Sequence, residues 1–118
     1  MKNAHENGIR ENEPMRLHTT FKTGGPAEMY AEPHSAGNLI SLLSQARDER
    51  CPVFILGGGA NLLVADKGIR GLVVSTSRLR SYAIEKSGET YYLKTQAGLP
   101  ISEAAAIAAG EGLTGLEF

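Results

Sequence analysis

The sequence predicts a small α/β (α+β) protein, with a parallel strand–helix–strand unit followed by an antiparallel hairpin and a second helix. Three observations predict this order. The apolar run Pro52–Leu56 ends in three glycines, and an unbroken apolar run is typical of a strand covered on both faces of a parallel sheet. Apolar residues recur at helical spacing just before this run. Two strand-like segments flank Ser87-Gly88-Glu89, a pattern typical of a hairpin.

Composition and charge limit the class of protein. The 118 residues are enough for one domain or for part of one. Twelve Lys and Arg stand against thirteen Asp and Glu, a net charge of −1, whereas nucleic-acid-binding proteins usually carry a basic excess. No apolar run reaches the roughly 18 residues of a membrane span, and residues 1–16 lack the apolar core of a signal peptide. We therefore expect a cytoplasmic protein that binds neither nucleic acid nor membrane.

The cysteine and histidine content argues against a disulfide and against a metal site. Cys51 is the only cysteine, so an intramolecular disulfide is impossible. His5, His18 and His34 show no metal-ligand spacing, and no metal is expected. His18 is interpreted as structural, because no serine or carboxylate partner for it is evident in the sequence.

The first half of the chain predicts a polar N-terminus followed by a strand and a helix. Residues 1–16 are expected to be an N-terminal tail, with a loosely docked short helix as the alternative for its first 14 residues. Gly24-Gly25-Pro26 indicates a structured turn, and Ala27–Glu32 alternates like a short strand. Ser35 is the expected N-cap of an amphipathic helix of about four turns, which ends before the apolar run of Pro52–Leu56.

The second half predicts one more buried strand, a hairpin and a helix. Asp66–Gly68 indicates a turn and Gly71–Val74 a short strand. Arg80–Glu85 and Thr90–Thr95 form the two arms of the hairpin. Ile101–Ala109 predicts the second helix, with a proline before its start and glycines after its end.

The glycine-rich segment after the apolar run is the strongest candidate binding site. Glycines allow positive φ and leave no side chain between the backbone and a ligand. Successive N–H groups in such a turn can converge on an anion such as a diphosphate. A tight turn without a ligand is the alternative, because a glycine-rich loop alone is weak evidence. The candidate residues are Leu56, Gly57, Gly58, Gly59, Ala60, Asn61 and Leu62.

Known phosphate-binding motifs do not describe this segment. No Gly-Lys-Ser/Thr follows the glycines, so it is not a P-loop, and no G-x-G-x-x-G opens a helix as in the dinucleotide fingerprint. Ala97 and Gly98 form a second small-residue site after the hairpin. They indicate either the close approach of a ligand or backbone, or a plain bend.

The ordered set of motifs resembles the UDP-N-acetylenolpyruvoylglucosamine reductases (UDP-N-acetylmuramate dehydrogenases), flavoenzymes of peptidoglycan precursor synthesis. The resemblance covers about Asn12 to Phe118. Each motif is weak alone, but their order and spacing together are specific. The motifs are Thr19–Phe21, Gly24–Ala27, Ile55–Leu63, Asp66, Gly68, Gly71–Val73, Ala97–Gly98 and Gly112–Glu117.

The resemblance implies that residues 17–118 are the N-terminal portion of a noncovalent FAD-binding domain of the vanillyl-alcohol-oxidase (PCMH) type. In that family Gly57–Asn61 would cradle the FAD diphosphate, and Ala97–Gly98 would line the same cleft. The family reaction passes hydride from NADPH to the flavin. The flavin then passes it to the enolpyruvyl double bond of a UDP-sugar, which gives UDP-N-acetylmuramate.

The resemblance also implies that the chain is truncated. In the family, the rest of the flavin domain, the substrate domain and all proton-transfer residues follow the Gly-Leu-Glu-Phe stretch. We therefore expect no catalytic residue among the 118 and no reductase activity from the chain alone. We also expect self-association through the apolar segment Gly112–Phe118, which carries Leu113, Leu116 and Phe118, through the sheet faces it would cover, and through an unpaired sheet edge.

Two other functions remain open at the level of sequence. The first is the FAD-binding module of another vanillyl-alcohol-oxidase-type flavoprotein. Covalent oxidases of that type tend to place a histidine in or near the glycine loop, where this chain has Ala60-Asn61. The second is a non-enzymatic α/β binding module in which the glycine loop is only a turn.

Overall fold

The computed structural model describes residues 8–58 and 64–116, which divide between a first unit, Met1–Arg78, and a second unit, Leu79–Phe118. In the described part of the first unit, a four-stranded sheet has the order β1-β2-β4-β3. Strand β1 is antiparallel to β2, whereas β2, β4 and β3 run parallel. The elements are β1 (Arg10–Pro14), a short 3₁₀ helix (Met15–Leu17), β2 (Pro26–Ala31), α1 (Ala36–Asp48), β3 (Val53–Leu56) and β4 (Ile69–Ser75).

The predicted helix is confirmed as α1, and both of its ends have local causes. The Ser35 Oγ accepts a hydrogen bond from the N–H of Asn38 at 3.0 Å, which satisfies one of the free N–H groups of the first turn. At the other end Arg50 has a φ of 53°. The Cys51 N–H then donates back to the carbonyl oxygen of Ala46 at 2.8 Å. This is a Schellman cap with arginine where glycine is usual.

Helix α1 covers β2 and β4 on one face of the sheet. Its buried residues, Leu42 and Ala46, belong to one hydrophobic cluster. A second cluster contains Val64, which follows the glycine segment. The first cluster consists of Ile9, Met29, Ala31, Leu42, Ala46, Leu72 and Val74, and the second of Met15, Ala27, Tyr30, Leu56, Val64 and Val73.

Two sequence predictions for the first unit need correction. Arg10–Pro14 forms β1 and Ile9 is buried, where a tail or short helix was expected. The polar pattern hid this strand, because β1 lies at the edge of the sheet and most of its side chains face solvent. The strand at Val53–Leu56 is confirmed, but it is not covered on both faces. Phe54 is 40 % and Ile55 51 % exposed, because β3 is the other edge strand and α1 packs on β2 and β4.

The second unit has the predicted hairpin and helix. Strands β5 (Tyr82–Ser87) and β6 (Thr90–Thr95) are antiparallel, and Gly88 takes a φ of 63° in the turn between them. Helix α2 (Ile101–Gly110) ends in a Schellman cap, in which the Leu113 N–H donates to the carbonyl oxygen of Ala108 at 2.8 Å.

Neither helix in the described part of the chain has the length and hydrophobicity of a membrane span.

One glycine of β4 is required by a close approach of two backbones. The register between β2 and β4 shifts by one residue after Ala27, and the Glu28 carboxylate accepts the Gly71 N–H at 2.9 Å on the irregular stretch. Gly71 has a φ of 91°, and a Cβ at this position would overlap the carbonyl oxygen of Pro52. Only glycine meets both conditions.

We expect Gly71→Ala to destabilise the protein by about 2–4 kcal/mol, because it combines a strained φ with overlap against backbone. Gly37→Ala is the matched control. Gly37 lies in α1 with only the Ser35 Oγ within 4.0 Å of an added Cβ, so alanine should stabilise by roughly 0.5–1 kcal/mol. Urea denaturation of the three proteins measures both changes. Equal stability of Gly71→Ala and the parent would contradict the close approach.

Candidate functional site

The carboxyl ends of the three parallel strands meet at one edge of the first unit. Ligands of open α/β sheets bind beyond this edge. A cleft of about 340 Å³ lies there, and its walls come from the ends of β2, β3 and β4 and from the turn that precedes β2. The cleft is lined by Leu17, His18, Thr19, Thr20, Tyr30, Leu56, Gly57, Gly58, Ser75 and Ser77.

The glycine segment begins at the wall of this cleft. Leu56 is buried, and its carbonyl oxygen accepts the Thr76 N–H at 3.1 Å. Gly57 and Gly58 follow, both exposed, and a Cβ built on either would meet no atom of the described residues within 4 Å. Their backbone therefore faces open space without a side chain in between. A ligand with several negatively charged oxygens can approach such a backbone closely.

Hydroxyl groups also line the cleft, and Ser75 pairs with Leu56 beside the start of the glycine segment. The Ser75 Oγ donates to the Ser77 Oγ at 3.1 Å and accepts the Ser77 N–H at 3.3 Å. Thr19 and Thr20 lie in the turn before β2, where the Thr19 Oγ1 donates to the carbonyl oxygen of Thr23 at 3.4 Å. Hydroxyls and backbone N–H groups suit phosphate oxygens, and no carboxylate is among the described lining residues.

The sequence did not single out these hydroxyl residues as a site. Ser75 and Ser77 gave only a weak indication of a ligand site. They follow a short apolar strand of a parallel sheet, at the end where such sheets bind ligands. Thr19 and Thr20 belonged to a motif of the resemblance but had no role. The four residues come together only in the folded sheet, where β4 lies between β2 and β3 and the turn before β2 reaches the ends of these strands.

His18 and Tyr30 form the part of the cleft wall nearest to β1. Their rings are stacked with centroids 4.3 Å apart. The Tyr30 hydroxyl donates to the Glu32 carboxylate at 2.9 Å and lies 3.1 Å from the His18 Nδ1. The His18 Nε2 lies 2.9 Å from the Glu13 carboxylate. His18 thus has the carboxylate partner that the sequence did not reveal, which removes the reason given for a purely structural histidine; its structural role stays a prediction.

Arg10 completes this polar cluster. It lies 3.3 Å from the carboxylate of Glu13 and 3.3 Å from that of Glu32, and its guanidinium carbon is 5.1 Å from the centre of the Tyr30 ring. The cluster ties β1 to β2 behind the cleft. Burial raises the pKa of Tyr30 to about 12, and the neighbouring Glu32 carboxylate acts in the same direction.

The structure places the other predicted site residues as follows. Ala97 and Gly98 lie in the second unit, in the turn after β6. The Gly98 N–H donates to the carbonyl oxygen of Leu79 at 2.8 Å, so this amide already takes part in a hydrogen bond within the second unit. Contact of this turn with a ligand stays a prediction. Four predicted residues lie outside the described ranges: Gly59, Ala60, Asn61 and Leu62.

Comparison with known proteins identifies the class of protein to which this chain belongs. A family described as FAD binding domain matches residues 27–118, and the chain belongs to this family. Two cholesterol oxidases of known structure share the fold. One, a solvent-stable cholesterol oxidase, has a TM-score of 0.66 and 20% identity over 89% of this chain and 20% of its own. The other, from Brevibacterium sterolicum, has a TM-score of 0.63 and 12% identity over 88% and 19%. The predicted vanillyl-alcohol-oxidase (PCMH) fold class is confirmed.

The particular relatives are UDP-N-acetylenolpyruvoylglucosamine reductases, which confirms the resemblance seen in the sequence. The protein of Caldanaerobacter subterraneus is 48% identical over 91% of this chain and 34% of its own length. That of Chloroflexus aggregans is 40% identical over 93% and 37%. That of Clostridium tetani is 36% identical over 100% and 37%. The chain spans about a third of the length of these relatives.

The raised pKa of Tyr30 makes stability fall in strong alkali. An unfolded tyrosine titrates near pH 10.0 and the folded Tyr30 near 12, so the folded state holds this proton more tightly. The stabilisation is fully present below pH 10 and is lost as the pH rises toward 12. The free energy of unfolding should drop by about 1.4 kcal/mol per pH unit in this window. Denaturation of wild type and Tyr30→Phe between about pH 9 and 11 measures this, and equal slopes would contradict it.

Proposed function

We propose that this chain binds FAD noncovalently, as the FAD-binding portion of an NADPH-dependent reductase. The whole enzyme would reduce the enolpyruvyl ether of UDP-N-acetylglucosamine to UDP-N-acetylmuramate in peptidoglycan synthesis, in the cytoplasm. One observation carries the proposal. In a chain of the FAD binding domain family, the open backbone of Gly57 and Gly58 faces a hydroxyl-lined cleft at the carboxyl ends of the parallel strands.

The residues present fit the diphosphate of FAD. The N–H groups of the glycine segment and the hydroxyls of Thr20 and Ser77 are the candidate donors, whereas the hydroxyls of Thr19 and Ser75 already donate to protein oxygens. The described lining of the cleft contains no lysine or arginine. Hydrogen-bond donors of this kind would therefore have to stabilise the negative charge of the diphosphate. Gly59, Ala60, Asn61 and Leu62 would complete this segment, and Leu56 anchors its start. Ala97 and Gly98 would contribute from the second unit.

The chemistry of the bound cofactor is hydride transfer, and this chain's part is to hold the cofactor in place. We assign no catalytic residue to it, because proton donation to carbon needs a positioned acid and none of the matched motifs supplies one. NADPH and the UDP-sugar are therefore ligands of the full-length enzyme. The chain alone should not oxidise NADPH in the presence of the enolpyruvyl sugar nucleotide.

The surroundings of His18 support noncovalent binding. This histidine lines the cleft, where a covalent flavoprotein could use its ring as a tether. Both ring nitrogens already lie within 3.1 Å of protein partners, the Glu13 carboxylate and the Tyr30 hydroxyl. These contacts hold the ring between Glu13 and Tyr30, and one of them would have to break before a ring nitrogen could reach a flavin. Flavin should therefore appear in the supernatant when the loaded protein is precipitated with acid.

The test of the proposal is Gly58→Val. Its side chain enters the space through which a phosphate approaches, and it leaves donors unpaired, so FAD affinity should fall at least 100-fold, or roughly 2.8 kcal/mol. Quenching of FAD fluorescence measures the affinity. Gly110→Val is the control, because an added Cβ there also meets nothing within 4 Å and Gly110 ends α2. FAD binding by Gly58→Val at wild-type strength would refute the placement of the diphosphate.

Self-association of the chain is a second expectation, and besides the segment Gly112–Phe118 the edge strand β3 is a candidate surface for it. Strand β3 ends the strand order, and its exposed side chains Val53, Phe54 and Ile55 are all apolar. An open edge of this kind favours pairing with another copy. The chain should exceed the mass of one copy in light scattering at micromolar concentration. Ile55→Lys should restore the monomer, whereas Ile40→Lys, at an exposed position of α1, should not. A monomeric wild-type chain would contradict this expectation.

A further inference from the structure

Two serines at the carboxyl end of β4 are joined by two hydrogen bonds. The Ser75 Oγ donates to the Ser77 Oγ at 3.1 Å and accepts the Ser77 N–H at 3.3 Å. A hydroxyl group has one proton to donate and two lone pairs that accept. Because the Ser77 oxygen accepts the Ser75 proton, the contact does not use the proton of Ser77. That proton can be donated to a ligand.

The two serines differ in exposure. Ser75 is 3 % exposed, whereas Ser77 is exposed, and both line the cleft. The buried hydroxyl is therefore engaged with protein, and the exposed one can reach a molecule in the cleft. The pair divides the work of a binding site between a residue that contacts the ligand and a residue that holds it.

Ser75 is itself fixed by the sheet. It is the last residue of β4 and pairs with Leu56 of β3, the residue before Gly57. The Leu56 carbonyl oxygen also accepts the Thr76 N–H at 3.1 Å. Ser77 lies two residues beyond Ser75, after the regular strand has ended. The Ser75 hydroxyl thus carries the fixed geometry of the sheet to Ser77, beside the start of the glycine segment.

We propose that Ser77 donates its hydroxyl proton to a phosphate oxygen of the cofactor, and that Ser75 is a positioning residue that acts through Ser77. The inference rests on the proposed binding of FAD. A donor that is held in place before binding loses less conformational freedom when the ligand arrives. Without the Ser75 hydroxyl, the Ser77 side chain can turn away from the cleft, and its proton can go to water instead.

A double-mutant cycle tests whether Ser75 acts through Ser77. Fluorescence quenching gives the FAD affinity of wild type, Ser75→Ala, Ser77→Ala and the double variant, under conditions in which circular dichroism shows all four folded. We expect a loss of about tenfold for Ser77→Ala and about fivefold for Ser75→Ala. In the Ser77→Ala background, Ser75→Ala should cost less than about twofold more, because the donor that it positions is gone.

A merely structural serine would give another result in the same cycle. It would weaken binding by the same factor with and without the Ser77 hydroxyl, and such additive losses would overturn the inference. Unchanged FAD affinity of Ser77→Ala would also overturn it. If Ser75→Ala does not fold, Ser75→Cys replaces it in the cycle, because its thiol fills the same place as a weaker donor. Its smaller loss should likewise disappear in the Ser77→Ala background.

Thr76→Val is the matched control. Thr76 is buried and adjoins both serines, but it is not among the residues that line the cleft. Its Oγ1 contacts the Leu56 carbonyl oxygen at 3.5 Å, and the backbone hydrogen bond to the same oxygen remains in the variant. We expect less than about a threefold loss of FAD affinity. A loss equal to that of Ser75→Ala would contradict a specific role for Ser75.

The outcomes separate the two proposals. If wild type binds no FAD, the proposed function fails and the inference fails with it. If wild type binds FAD and the serine variants have additive effects or none, only the inference fails.

Discussion

Parallel pairing of β2, β4 and β3 is the constraint on which the rest of the first unit depends. Parallel neighbours cannot be joined by a tight turn, so the chain leaves each strand at one edge and returns at the other. Helix α1 provides one return between β2 and β3, and the glycine segment begins the next. All three strands therefore end at the same edge of the sheet, where the cleft lies.

The central position of β4 requires close backbone approaches that only glycine allows. At the entrance of β4, Gly68 lies against the carbonyl of Pro26, and Gly71 lies against that of Pro52. The two contacts connect β4 to the starts of both neighbouring strands. Side chains at these positions would push apart the strands whose ends form the cleft. Two sets of glycines therefore have different roles. Gly68 and Gly71 allow two backbone segments to approach closely, whereas Gly57 and Gly58 leave the backbone accessible to a ligand.

The charged side chains around the cleft are paired with one another, in keeping with the near-neutral net charge of the chain. The ionic groups around the cleft pair with one another: Arg10 lies between the carboxylates of Glu13 and Glu32, and His18 contacts Glu13. The described lining offers hydroxyls and backbone donors instead of lysine or arginine. Such a site holds an anion through the number and direction of its dipoles. The accurate placement of its walls therefore matters more than in a site that relies on a single charge.

The sequence by itself determined the local elements and the family. Caps, turns and apolar periodicity predicted α1, β2, β4, the hairpin and α2, because these signals act within a few residues. The glycine segment and the order of motifs pointed to a flavin-binding protein. Only the tertiary structure decided that Arg10–Pro14 is a strand and that β3 is an exposed edge, because edge position depends on which strand pairs with which. It also joined Thr19 and Thr20 to Ser75 and Ser77 in one cleft. These residues are more than 50 positions apart in the chain, and only the pairing of β4 between β2 and β3 brings them together.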